Sequence, residues 1–255
     1  MSTWDPKQYL AFGSERAQPA LDLLARVPIK APESVYDLGC GAGNISRALQ
    51  ARWPGARITG IDGSPEMLER ARAESTGIDW VEADMNDWRP DAPADLIYSN
   101  AALHWLDDHE SLFPHLLGQL APGGYLAVQM PRNWFAPSHT CVTETVLDGP
   151  WQGQLEPLLR PNASHPPEVY YDTLAPISTT LAIWETEYCQ ILNGENPVAE
   201  FVKGSWLKRF LDALDEPLRS EFEGAYRKRI LDAYPKRADG KTLFPFRRLF
   251  ILANR

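Results

Sequence analysis

The sequence predicts an α/β protein built on a doubly wound, seven-stranded, mostly parallel sheet with helices on both faces and a small helical cap inserted before the last strand. Three observations carry the prediction. Apolar, β-rich runs alternate with helical stretches through the first half of the chain, as βαβ crossovers require. The first such run leads directly into "DLGCGAG", a glycine loop that opens a helix. At 255 residues with 44% apolar, the chain is long enough to bury one large core of this kind.

The elements follow in order. "ESVYDLG" reads as a buried strand, and Asn44 to Arg52 as a helix. "ARITGID" is a second strand. "SPEMLERARAES" begins with Ser64 as N-cap and Pro65 at the first helical position, a strong start signal. "IDWVEAD" and "ADLIYSN" are the third and fourth strands. "HESLFPHLLGQL" is helical despite Pro114, and "APGGYLAVQM" is a turn feeding a fifth strand. Residues 131–167, rich in Pro, Trp and His, read as loop with short helices. "EVYYDTLAPI" is a helix, and "TTLAIWETEYCQIL" a long strand. "EFVKGSWLKRFLDAL" and "LRSEFEGAYRKRILDAY" show helical periodicity with charged outer faces, and "TLFPFRRLFILANR" closes the chain as the last strand. The expected organisation is a core over residues 1–196 with an N-terminal helix, a helical cap over 197–237, and the final core strand over 238–255.

Composition narrows the function. The net charge is −9, with no Lys/Arg block of the kind that releases counterions from nucleic acid, so no nucleic-acid partner is expected. No apolar run approaches the roughly 18 residues of a membrane span, and the start lacks a secretory pattern, so the expected place is the cytoplasm. Cys40, Cys141 and Cys189 form no CxxC pair, and His104, His109 and His115 do not share a helix face. No metal site is expected.

The glycine loop raises the question of its ligand. A dinucleotide fingerprint wants G-x-G-x-x-G, whereas Gly39, Gly41 and Gly43 give G-x-G-x-G followed by Asn44 and Ile45. Asp37, two residues before Gly39, would repel a pyrophosphate; it could accept from an ammonium group or fix the loop. Asp62 ends the second strand, where ribose hydroxyls are read in such sheets. Asp84 ends the third, where a base amino group could bind. Any one acid alone could be a strand-end or capping residue; three at successive strand exits point to a nucleoside without phosphates.

Through "DLGCGAGN", "GIDGSPEML", "VEADMNDW" and "DLIYSNAALHW" the chain resembles the class I S-adenosylmethionine-dependent methyltransferases, whose sheet is Rossmann-like. The resemblance implies that Gly39, Cys40, Gly41 and Asn44 approach the methionine part. It implies ribose contacts from Asp62 beside Gly63 and Met67, an adenine contact from Asp84 with Met85 on the ring, and Asn100 and Ala101 near the methyl group. Arg16, in the N-terminal helix, could bind the cofactor's carboxylate. The flanks "WDPKQYLAFGSERAQPALDLLARVP", "HWLDDHESLFPHLLGQLAPGGYLAVQMPRNW" and "LFPFRRLFILA" resemble the trans-aconitate 2-methyltransferase family. That implies esterification of a small polycarboxylic acid, with S-adenosylhomocysteine as second product.

Such an acceptor is ionised at neutral pH, so no general base is needed. His104 and Asn100 are then positioning candidates. Guanidinium groups suit the remaining carboxylates: Arg132 with Asn133 and Trp134, Arg160, and one of the adjacent pair Arg247 and Arg248, which face opposite sides of a strand. Tyr9 and Tyr170 could donate hydroxyls. The partner is a small acid, and the sequence leaves the oligomeric state open, a monomer being plausible. The alternatives are a methyltransferase for another small or carrier-linked carboxylate, or an adenosylmethionine-binding protein without turnover.

Overall fold

A computed structural model describes residues 13–160 and 164–255, and side chains from residue 17 onward in the first of these stretches. In chain order the elements are α1 (Gly13–Arg26), β1 (Ser34–Leu38), α2 (Asn44–Arg52), β2 (Arg57–Asp62), α3 (Pro65–Glu74), β3 (Asp79–Glu82) and β4 (Ala94–Asn100). A 3-10 turn (Leu103–Trp105), α4 (His109–Gly118), β5 (Leu120–Pro131), α5 (Pro137–Leu147), α6 (Gln152–Leu155) and α7 (Pro167–Leu174) follow. The chain ends with β6 (Thr180–Leu192), α8 (Pro197–Lys203), α9 (Lys208–Asp212), α10 (Leu218–Ala233) and β7 (Thr242–Asn254).

The seven strands form one sheet in the order β3-β2-β1-β4-β5-β7-β6. The first five pair in parallel, and β7 runs antiparallel to β5. The expected doubly wound sheet is therefore present. Its order reverses between β1 and β4, and ligands of such sheets sit outside the carboxyl ends of the strands at that point. The α3 start also matches its reading: Ser64 accepts from Met67 N at 3.4 Å, with Pro65 in the first turn.

Two compact units account for the described chain. One comprises Ala17–Pro131, Ala163–Thr186 and Arg248–Arg255. In it Leu38, Ile97, Leu126, Val128 and Ile251 of the sheet bury against Phe113, Leu116 and Leu117 of α4 and Leu174 of α7. Each such side chain contributes about 1.5–3 kcal/mol when fully buried. The second unit takes in, of the described residues, 13–16, 132–160 and 187–247. Val142 and Val146 of α5 share its core with Phe201 of α8, Phe210 of α9, Phe222 and Tyr226 of α10 and Phe244 of β7. Residues 197–237 thus share a core with 132–158.

Three elements differ from expectation. The fifth strand already begins at Leu120, so the stretch expected as a turn lies within it. The third strand shortens to four residues, Asp79–Glu82. The stretch expected as one helix over 200–214 is two, because buried Trp206 and Leu207 turn inward where the helix would continue, and Leu207 N bonds back to Val202 O at 3.2 Å.

Candidate active site

The glycine loop leaves β1 and is tied at once to the end of β2: Gly39 N and Cys40 N donate to Ile61 O at 2.8 and 3.0 Å. Gly43, at φ 77°, packs so closely on the Trp80 indole that a Cβ there would stand 2.4 Å from the ring. Gly41 differs. Its φ of 54° favours glycine, yet a Cβ would meet nothing within 4 Å, so its backbone faces open space. Met85 reaches the loop, its sulfur 3.3 Å from where a Cβ on Gly39 would stand.

The acids divide by role. Asp62 accepts from Gly41 N through one oxygen and from Ser64 N through the other, both at 2.8 Å, and so joins the loop to the start of α3. Asp37 is 2% exposed and accepts from Ser46 Oγ at 2.6 Å. Burial pushes its pKa up to about 7, the Ser46 hydrogen bond pulls it down, and Asp62 pushes it up. Through that one oxygen Asp37 is joined to the helix that follows the loop. Asp84 is exposed and accepts from Asn86 N and Nδ2 at 2.9 and 2.8 Å. With Gly63, Met85, Asn86 and Leu106 it lines a cleft of about 620 Å³. Leu106 was not among the sequence candidates. Cys40 is buried, which raises its thiol well above the usual range and leaves it neutral. Asn44 is exposed at the start of α2 and accepts from Arg47, and Met67 is buried in α3.

At the exit of β4, Asn100 Oδ1 is buried without a hydrogen-bond partner among the described residues. Ala101 adopts φ 53° and donates to Gln129 O at 2.9 Å. His104 is buried in the 3-10 turn, its ring 4.7 Å from that of Trp105. Gln129, near the end of β5, is 1% exposed, and among the described residues neither polar atom of its amide has a partner. Sequence reading missed it. The signal was there: an amide among apolar residues at the end of "YLAVQM".

The acceptor candidates separate more sharply. Arg248 is 5% exposed while Arg247 is exposed and 3.7 Å from Glu187, as strand alternation requires. Tyr170 is 1% exposed, and its hydroxyl lies 2.7 Å from His109 Nδ1 and accepts from His165 N at 3.1 Å. It belongs to the core. His109 Nε2 is 2.9 Å from Leu103 O, so Nε2 carries the proton and Nδ1 accepts from Tyr170. Tyr9 and the side chain of Arg16 lie outside the described residues.

In the second unit, Asn133 Nδ2 donates to Ser138 Oγ at 3.0 Å and its Oδ1 accepts from Arg247 N at 3.2 Å, one bond from each end of the amide. Arg132 N donates to Arg247 O at 3.0 Å. Trp134 meets His139 and Trp206 edge-on, each at 5.1 Å. Arg209 lies over Trp206 at 4.1 Å, a cation-π contact that sequence reading also missed. Burial, and then the charge of exposed Arg160, lowers the Arg209 pKa to about 10.

A family model described as a methyltransferase domain matches residues 35–124. Over its whole length the chain is 47% identical to the trans-aconitate 2-methyltransferase of Azoarcus sp. (strain BH72), covering 100% of each chain. It is 43% identical to that of Rhodopseudomonas palustris (strain BisB18), over 99% of both. The chain belongs to the trans-aconitate 2-methyltransferase family. Membership in that family extends over β6, β7 and α5–α10, well beyond the matched domain. An S-adenosylmethionine-dependent methyltransferase from Mesorhizobium loti shares the fold, with a TM-score of 0.53 at 21% identity over 96% of this chain and 100% of that one.

Proposed function

We propose that the protein transfers the methyl group of S-adenosylmethionine to a carboxylate of trans-aconitate, giving a monomethyl ester and S-adenosylhomocysteine. One observation carries the reading: the 47% identity to a trans-aconitate 2-methyltransferase runs the full length of both chains, and so includes the segments outside the methyltransferase domain.

The residues fit such a donor. The open backbone at Gly41 admits an amino-acid tail, and the cleft beside Asp84, Met85 and Leu106 suits an adenine ring. Asp62 retains acceptor capacity for ribose hydroxyls, since each of its oxygens receives one backbone N–H. When bound, S-adenosylmethionine supplies a methyl group on a positively charged sulfur.

The chain itself has no proton to remove, because a carboxylate with an ordinary pKa near 4 is ionised at neutral pH. Its work is to orient the acceptor oxygen and keep water away from it. Orientation of that kind is worth about 7–11 kcal/mol in well-aligned reactions. Arg248, a buried guanidinium, suits a carboxylate that keeps its charge through the reaction. His104 then acts by position.

The test is transfer of label from methyl-labelled donor to trans-aconitate and a panel of other small acids. The expected product releases volatile label in base, as a methyl ester must. Tight binding of S-adenosylhomocysteine with no transfer to any acid would instead mark a binding protein.

A further inference from the structure

We infer that Gln129 reads the carboxylate that receives the methyl group, its Nε2 donating to the oxygen that does not react. The inference rests on the reading under Proposed function and deepens it.

Gln129 is 1% exposed, and both Oε1 and Nε2 lack partners among the described residues. Its cross-strand neighbour Asn100 carries a third unpartnered atom, Oδ1. Buried amides are almost always hydrogen-bonded, and two adjacent exceptions at strand exits point to a ligand that completes them. Their place agrees. The glycine loop, Asp62 and Asp84 follow β1, β2 and β3, all on one side of β4 in the sheet. Gln129 stands on β5, one strand beyond Asn100 on the other side. It is therefore across β4 from the residues that fit the nucleoside, on the side left for the acceptor. Across the next ladder Gln129 pairs with Phe250, and Arg248, two residues before Phe250, shares that face of β7.

The chemistry separates the amide from the guanidinium. The reacting oxygen needs its electron density, because it forms the new C–O bond while the C–S bond breaks and leaves its electron pair on sulfur. A cation beside that carboxylate would hold the density back. A neutral N–H orients the group without doing so, and the ester oxygen can still accept from it afterwards. Arg248 is suited to a carboxylate whose charge persists.

Gln129→Met preserves shape and removes the amide. Its thermal midpoint should not fall below the wild type's, since an unsatisfied amide is replaced by an apolar group. The Kd for S-adenosylhomocysteine should stay within about twofold, while kcat/KM for the acid falls about tenfold or more through KM, the scale of a hydrogen bond to a charged group. Gln129→Glu should fall further, by repulsion. A lowered midpoint with unchanged kcat/KM would overturn the inference in favour of a structural amide. A weakened Kd with unchanged acceptor KM would give Gln129 to the donor instead. Wild type that transfers to no acid removes the proposed function and this inference with it. Wild type that transfers while Gln129→Met matches it removes the inference alone.

Discussion

Asp37 sets burial against charge within one side chain. Its carboxyl ionises at about pH 7 when folded, against an ordinary 3.8, chiefly because burial disfavours the charged form. The folded chain therefore binds this proton more tightly than the unfolded one. The stability that follows is fully present below about pH 4, declines as pH rises towards 7, and changes no further above it. Asp37→Asn keeps an acceptor for Ser46 and removes the titration. Thermal midpoints of the wild type should fall relative to the variant's between about pH 4 and 7 and run parallel above; curves parallel throughout would mean that the buried group stays charged. His104 gives a second test at this scale. A reaction without proton transfer tolerates His104→Gln within about tenfold, whereas loss of a general base costs about a hundredfold or more and would count against a carboxylate acceptor. Residue types announced these candidates, but their partners did not show in the sequence. The bond from Ser46 to Asp37, and those that Tyr170 and Asn133 make with His109, His165, Ser138 and Arg247, join segments whose contact no spacing in the sequence announces.

The glycine loop is held as an element by an indole from a different strand. Trp80 on β3 pairs with Gly60 on β2, and a Cβ on Gly60 would stand 2.4 Å from its ring, as would one on Gly43. The indole thus occupies room that two glycines leave and props the loop from one side. Gly43→Ala combines a left-handed φ with that overlap and should lose about 2–4 kcal/mol of unfolding free energy in urea. Gly41→Ala meets nothing and should lose only the backbone cost of about 1–2 kcal/mol, while weakening S-adenosylhomocysteine binding more than stability. Equal losses at the two positions would mean that Trp80 is not a prop. Local signals made much of this scale readable: the Ser64–Pro65 start of α3, the strand runs, the loop itself. The division into α8 and α9 was not, because helical periodicity continues through Gly204 and only the packing of Trp206 and Leu207 ends it. Trp80 escaped for the same reason, since a cross-strand partner has no fixed spacing in sequence.

For the whole molecule, crossover order and sheet class follow from alternation of strands and helices, but the grouping of 132–158 with 197–234 depends on contacts between distant segments. Each unit has its own apolar core, with Leu126 and Phe113 in one and Val142 and Phe222 in the other. The residues proposed for the methyl donor whose side chains are described, from Asp37 to Ala101, lie in the first unit. A ligand that binds only the folded state stabilises it by mass action, about 2.7 kcal/mol at a concentration one hundred times Kd. Cores that open independently confine the gain to the unit that holds the ligand. Hydrogen exchange at saturating S-adenosylhomocysteine should slow at residues 39–43, 62–67, 83–86 and 100–106, with α5 and α8–α10 exchanging as they do without ligand. Equal protection of both units would mean that they open together, and the donor would then be bound by the molecule as one cooperative body.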